Sequence, residues 1–116
     1  MNKNKRLEIY NKYGGHCAYC GDEIKYEKMQ VDHYWPKTLR HQKPEIDNDG
    51  IENLMPSCQP CNIHKGGLRP DWWRSLLSRQ VSMLLNNANF KRALHFGQVK
   101  IQESPIVFYF ETKPKE

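Results

Sequence analysis

The sequence predicts a small α+β protein, on three observations. Residues with helical spacing open the chain and recur in its second half, short strand-like runs lie between and after them, and two C-x2-C pairs, Cys17/Cys20 and Cys58/Cys61, bracket the middle. At 116 residues the chain suits one compact domain, 1–116, with a core modest enough for a bound metal to matter to stability.

Over residues 5–13, Ile9, Tyr10 and Tyr13 share a face at i, i+1 and i+4, and Gly14-Gly15 supplies a stop, which predicts a short N-terminal helix. Cys17-Ala18-Tyr19-Cys20-Gly21 reads as a tight ligand-presenting turn, followed by strand-like residues 23–26 and 29–33. Pro36, Pro44, Asn48, Asp49 and Gly50 make 36–50 a loop. Pro70 marks a break. Asp71 is then expected to cap a helix over 72–85, where Trp72, Trp73, Leu76, Leu77, Val81, Leu84 and Leu85 recur at helical spacing, with at least one tryptophan in the core. A second short helix over 89–95 should end at Gly97, ahead of a β-hairpin of 99–102 and 106–111 turning at Ser104-Pro105.

A tetrahedral Zn²⁺ takes four soft donors at about 2.3 Å, and each C-x2-C turn presents two sulfurs to one ion. Cys17, Cys20, Cys58 and Cys61 are therefore candidate ligands of one structural zinc, a closed shell with no open position for water. The alternative is four unrelated buried thiols, against which stand the ligand spacing of both pairs and the lack of a fifth cysteine. No run approaches the roughly 20 apolar residues of a membrane span, and the polar start lacks the apolar run of a signal peptide. A cytosolic protein is the simplest expectation. In that reducing compartment such pairs are more often metal ligands than disulfides.

In order along the chain come Cys17-x2-Cys20-Gly21, Val31-Asp32-His33, Asn53-Leu54 and Cys58-x2-Cys61-Asn62-x2-Lys65-Gly66. This string resembles the HNH endonuclease family in its cysteine-containing form, over residues 9–66, and leaves 67–116 as a helical and β-hairpin extension. The resemblance implies a two-strand, one-helix metal fold with His33 at a strand end and Asn62 on the helix. It further implies that Asp32 and Asn62 hold a catalytic divalent ion, that His33 is the general base and that Asn53 braces the loop between the strands. The family's metal site can include a further histidine four residues beyond Asn62. That position is Gly66 here, which argues for a weakly held ion instead of a tight catalytic zinc.

The residue types agree with those roles. Carboxylate and amide oxygens are hard donors suited to Mg²⁺ or Mn²⁺, and Mg²⁺ commonly binds one or two protein groups plus phosphate. The expected products are 5′-phosphate and 3′-hydroxyl ends. Neighbouring Asp32 and His33 would point to opposite faces of a regular strand, so their joint use requires the strand to end or twist there, as the following Trp35-Pro36 suggests.

The formal charge of +5 favours an anionic partner, and four thiolates around Zn²⁺ would leave about +3. DNA is the expected partner, with Lys65 as the best single phosphate contact and Lys37, Arg40, Lys43, Arg69 and Arg74 flanking the site. His64, about 200° around a helix from Asn62, is assigned to the surface or to DNA instead of the metal. Two other readings stand beside the nuclease: a non-catalytic zinc module that binds nucleic acid, and a protein-interaction domain. In the expected hairpin Ile106, Phe108 and Phe110 alternate with Val107 and Tyr109, so both faces are apolar and one would be free for a second copy of the chain or another protein.

Overall fold

The computed structural model describes residues 1–113. Helix α1 runs over Lys3–Asn11, strand β1 over Gln30–His33, β2 over Leu54–Ser57, α2 over Gln59–Lys65, α3 over Pro70–Ser78, α4 over Gln80–Leu84 and α5 over Ala88–His95. The chain divides into two compact units: residues up to Pro70 together with the described residues from Val107 on, and Asp71–Ile106.

In the first unit, α1 begins where Asn2 accepts a hydrogen bond from the Lys5 backbone at 2.8 Å and ends ahead of Gly14 and Gly15, both at positive φ. Its buried face delivers Ile9, which packs with Met29 and Leu54 into the core, flanked by Tyr10, Ile24, Val31 and Ile51. The Tyr10 hydroxyl donates to the Ile24 carbonyl at 2.7 Å, and the ammonium of Lys12, the residue after α1, donates to the carbonyls of Ile51 and Leu54, so polar groups at the end of α1 also tie down the loops around it.

Strands β1 and β2 pair antiparallel, with Gln30 opposite Ser57 and His33 opposite Leu54. The sequence reading assigned no residues to the second strand. Pro56 disguises it, because proline cannot donate to a ladder and is confined to edges. In a two-stranded sheet every strand is an edge, and the Pro56 carbonyl remains free to accept from Ala18 N at 2.8 Å. The strand expected over 23–26 is reduced to a single bridge between His16 and Glu23, followed by a 3-10 turn at Tyr26–Lys28. The 36–50 loop is present, with a kinked 3-10 segment at Lys37–Gln42 inside it.

In the second unit, the long helix expected over 72–85 is two helices, and it opens on Pro70 at its first position with Asp71 in the first turn, not on an Asp71 cap. The break falls at Arg79, where the hydroxyl of Ser78 and the Nε of Arg79 both donate to the Ser75 carbonyl. Side-chain donors crowding one carbonyl compete with the helical ladder. Trp73 is buried and Trp72 is 60% exposed. Helix α5 is capped by Asn87, whose side chain accepts from Phe90 N, and stops before Gly97 at φ 74°.

The expected hairpin of 99–102 and 106–111 does not form. Residues 99–108 have no regular structure and Tyr109–Thr112 is a 3-10 turn. Instead Tyr109 N donates to the Tyr19 carbonyl at 3.0 Å and Phe110 N to the Ala18 carbonyl at 2.9 Å, laying the tail along the first cysteine turn. Phe108 meets Tyr19 edge-on and Phe110 meets Tyr13 and Tyr34, so these rings pack on the chain's own aromatics and the expected hairpin face is absent. Among the described residues, no helix is long and apolar enough to cross a membrane.

Candidate active site

The two cysteine pairs converge although 37 residues separate them. Cys17 and Cys20 lie in a turn closed by Gly21 N to the Cys17 carbonyl at 3.0 Å. Gly21 sits at φ 82°, and a Cβ there would meet the Tyr109 ring at 2.8 Å, so glycine is required on both counts. Cys58 is the N-cap of α2 and Cys61 lies one turn further along the same face. All four sulfurs lie within 4.8 Å of one another, unbridged by disulfides, and the Cys20–Cys58 separation is 3.8 Å. A tetrahedron of sulfurs 2.3 Å from a zinc has edges of about 3.8 Å, so the donor set fits the ion. Without metal the thiols are unequal. A hydrogen bond from Cys61 brings the Cys17 thiol down to about 4, the same bond raises Cys61, and burial pushes Cys20 up to about 12.

Helix α2 leaves this cluster and lies on β1. Gln30 and Asp32, two apart on the strand, share one face, and Asn62 and Lys65, three apart on the helix, share another. The two pairs interleave. The Asn62 amide donates to Gln30 Oε1 at 2.6 Å, and Lys65 Nζ lies 3.0 Å from Asp32 Oδ2 and 3.0 Å from the His33 carbonyl. The Tyr19 hydroxyl also donates to Asp32 Oδ2. Tyr19, Asp32 and Lys65 are all buried. Burial first, then the Asp32 charge, raises the Tyr19 phenol well above its ordinary range and keeps it a donor.

Strand β1 ends at His33, so the side chain after the buried Asp32 emerges at the rim. His33 Nε2 lies 2.9 Å from Asp49 Oδ1, and that bond is the first cause of the lowered Asp49 carboxyl. The Lys5 ammonium in turn holds the Asp49 carbonyl at 2.7 Å. Asp32 and His33 open on one shallow cavity of about 200 Å³, also lined by Pro36, Lys37, Thr38, Gly66 and Gly67.

Residues 17–67, spanning both cysteine pairs, the sheet and α2, match the family described as HNH endonuclease. This segment is similar to HNH endonucleases. No curated protein matches the chain. Among solved structures, the type II-C Cas9 enzyme from Actinomyces naeslundii is similar over 61% of this chain, at 30% identity and a TM-score of 0.50. The match spans 8% of that much longer chain.

Within the HNH segment, Asn53 is buried in the connection between the strands. Its Oδ1 accepts from Trp35 N at 2.8 Å, and its Nδ2 donates to the carbonyls of Trp35 and Asn48 at 3.2 and 2.8 Å. Asn53→Ala would leave the buried Trp35 N–H without its acceptor, at about 1–3 kcal/mol, and the part-buried Asn48 carbonyl without its donor, while the Trp35 carbonyl keeps Asn48 Nδ2. The variant is expected to lose at least about 2 kcal/mol in denaturant unfolding, and a loss under about 0.5 kcal/mol would contradict the brace.

Lys65, expected at DNA phosphates, is 1% exposed and spent on Asp32, which corrects that assignment. The signal was available: three residues place Lys65 within about 60° of Asn62, on the inner face, by the same arithmetic that sends His64 outward. The other basic candidates stay at the site's margin. Lys37 is exposed and lines the cavity, Arg40 is exposed on the same 3-10 segment, and Lys43 and Arg69 lie over the Trp35 ring at 4.9 and 5.5 Å. Arg74 donates to the Ile106 carbonyl within the second unit. Sequence reasoning missed Tyr19, Gln30 and Asp49. Tyr19 carried a signal, an aromatic inside a ligand-presenting turn, whereas Asp49 looked like any loop residue beside Asn48 and Gly50.

Proposed function

We propose that the protein is a metal-dependent HNH endonuclease that hydrolyses DNA phosphodiester bonds to 5′-phosphate and 3′-hydroxyl ends. The observation that carries this reading is Asp32 and His33 meeting at one cavity with a cation, Lys37, on its wall. The carboxylate suits a hard divalent ion: both scaffold bonds to Asp32 fall on Oδ2, which leaves Oδ1 for a ligand, whereas Asn62 is bonded to Gln30 and does not line that cavity, so its part as second ligand rests on the family resemblance. Bound there, Mg²⁺ or Mn²⁺ would supply positive charge to the phosphate and to the departing 3′ oxygen.

His33 is the general base in this reading. An ionised carboxylate only accepts hydrogen bonds, so the contact with Asp49 puts the hydrogen on Nε2 and leaves the Nδ1 lone pair to take a proton from water. Lys65 keeps the backbone of His33 in place, and Lys37 and Arg40 meet phosphates at the rim. The four cysteines hold a structural zinc that joins the turn at Cys17 to the start of α2.

Supercoiled plasmid should be cut with Mg²⁺ or Mn²⁺ and left intact in EDTA. Asp32→Ala should raise the ion concentration needed for cutting by at least about tenfold while the zinc content stays. An unchanged Mg²⁺ titration would remove Asp32 from the ion site. DNA binding with no cleavage under any divalent ion would favour the non-catalytic nucleic-acid-binding module.

A further inference from the structure

The Tyr19–Asp32–Lys65 network joins two sites that the functional reading treats as separate. Tyr19 stands between zinc-turn residues Cys17 and Cys20, is 3% exposed, and is wedged edge-on against Phe108 at 5.4 Å. Lys65 lies four residues after Cys61, at the far end of the helix that the second cysteine pair begins. The two reach Asp32 from opposite cysteine pairs, and both bind the same oxygen, Oδ2. A carboxylate gripped by two donors at one oxygen cannot swing about its χ2 axis without breaking both bonds. Its other oxygen is therefore presented in one direction.

We propose that Tyr19 and Lys65 are positioning residues that commit Oδ2 of Asp32 to the scaffold and Oδ1 to the divalent ion, so that the cysteine clamp sets the affinity of the ion site. The proposal rests on the reading of Asp32 as an ion ligand. Its physical basis is that groups behind a metal ligand hold the orientation on which affinity depends, with losses of about 10- to 100-fold when one is removed. Lys65 also places a buried positive charge beside Asp32, which disfavours a free divalent ion. The clamp thus contributes orientation and Lys65 keeps the site weak.

Tyr19→Phe tests this, since it removes only the hydroxyl and leaves the ring packed on Phe108. Mn²⁺ alone is titrated against the zinc-loaded protein, and paramagnetic broadening of the Asp32 and His33 amide signals is followed by NMR. The half-broadening concentration is expected to rise by about tenfold or more in Tyr19→Phe, with zinc content and melting temperature near native. In plasmid cleavage the same variant should need more Mn²⁺ but approach the native rate at saturation, a split that general destabilisation would not produce. Broadening within twofold of native would overturn the positioning role, provided that Asp32→Ala abolishes it. If Asp32→Ala keeps the broadening, the ion site itself is misassigned and the proposal falls with it.

Discussion

His33→Ala is expected to cut DNA cleavage by about 10²- to 10⁴-fold while fold, zinc content and DNA affinity stay close to native. The side chain is 23% exposed at the end of β1, and its ring makes one polar contact, to an exposed carboxylate, so its removal leaves no buried group unpaired. The backbone carbonyl that Lys65 holds is untouched by the substitution. The loss should therefore fall on turnover and not on stability. Cleavage by His33→Ala within a few-fold of native, at matched Mg²⁺ and pH, would rule out the base assignment.

Cys58→Ser is expected to unfold the first unit or reduce it to a poorly ordered state. The aliphatic core there is small, chiefly Ile9, Met29 and Leu54, and the Cys17 turn, along which the tail lies, meets α2 at the four sulfurs. Structural zinc contributes apparent energies of about 10–16 kcal/mol in small zinc-binding peptides, comparable to the whole stability of an ordinary domain. Losing one thiolate should outweigh what that core supplies alone. Cys58 is also the residue from which α2 starts, so the loss would reach Asn62 and Lys65 and, through Lys65, Asp32. Elemental analysis should find one zinc per native chain, and a chelator should collapse the dispersed NMR spectrum. Folded, fully reduced protein without metal would refute the clamp.

The local features of this chain were legible residue by residue. Helix α1 with its glycine stop and α5 before Gly97 follow from spacing and capping chemistry, which act within a few residues. The cysteine pairs were legible because ligand spacing is itself a local geometric demand, and the end of β1 because Trp35-Pro36 follows His33 at once.

The misreadings share a different cause. The alternation of Ile106, Phe108 and Phe110 reported apolar residues correctly, but nothing local says what covers them, and Tyr13, Tyr19 and Tyr34 pack on Phe108 and Phe110 where a partner strand was expected. β2 was hidden because Pro56 is tolerated only where a sheet has no further neighbour on that side. Lys65 was read as a surface cation because its burial depends on Asp32, more than 30 residues away, supplying the opposite charge. By itself, then, the sequence determined the four candidate zinc ligands, the order of the site elements and the residue types available for chemistry. Tertiary structure alone decided that Asp32 is gripped from both cysteine pairs, that Asp49 meets His33 and that the tail closes over the first cysteine turn, because each contact joins segments brought together only by the folded core and the clamp.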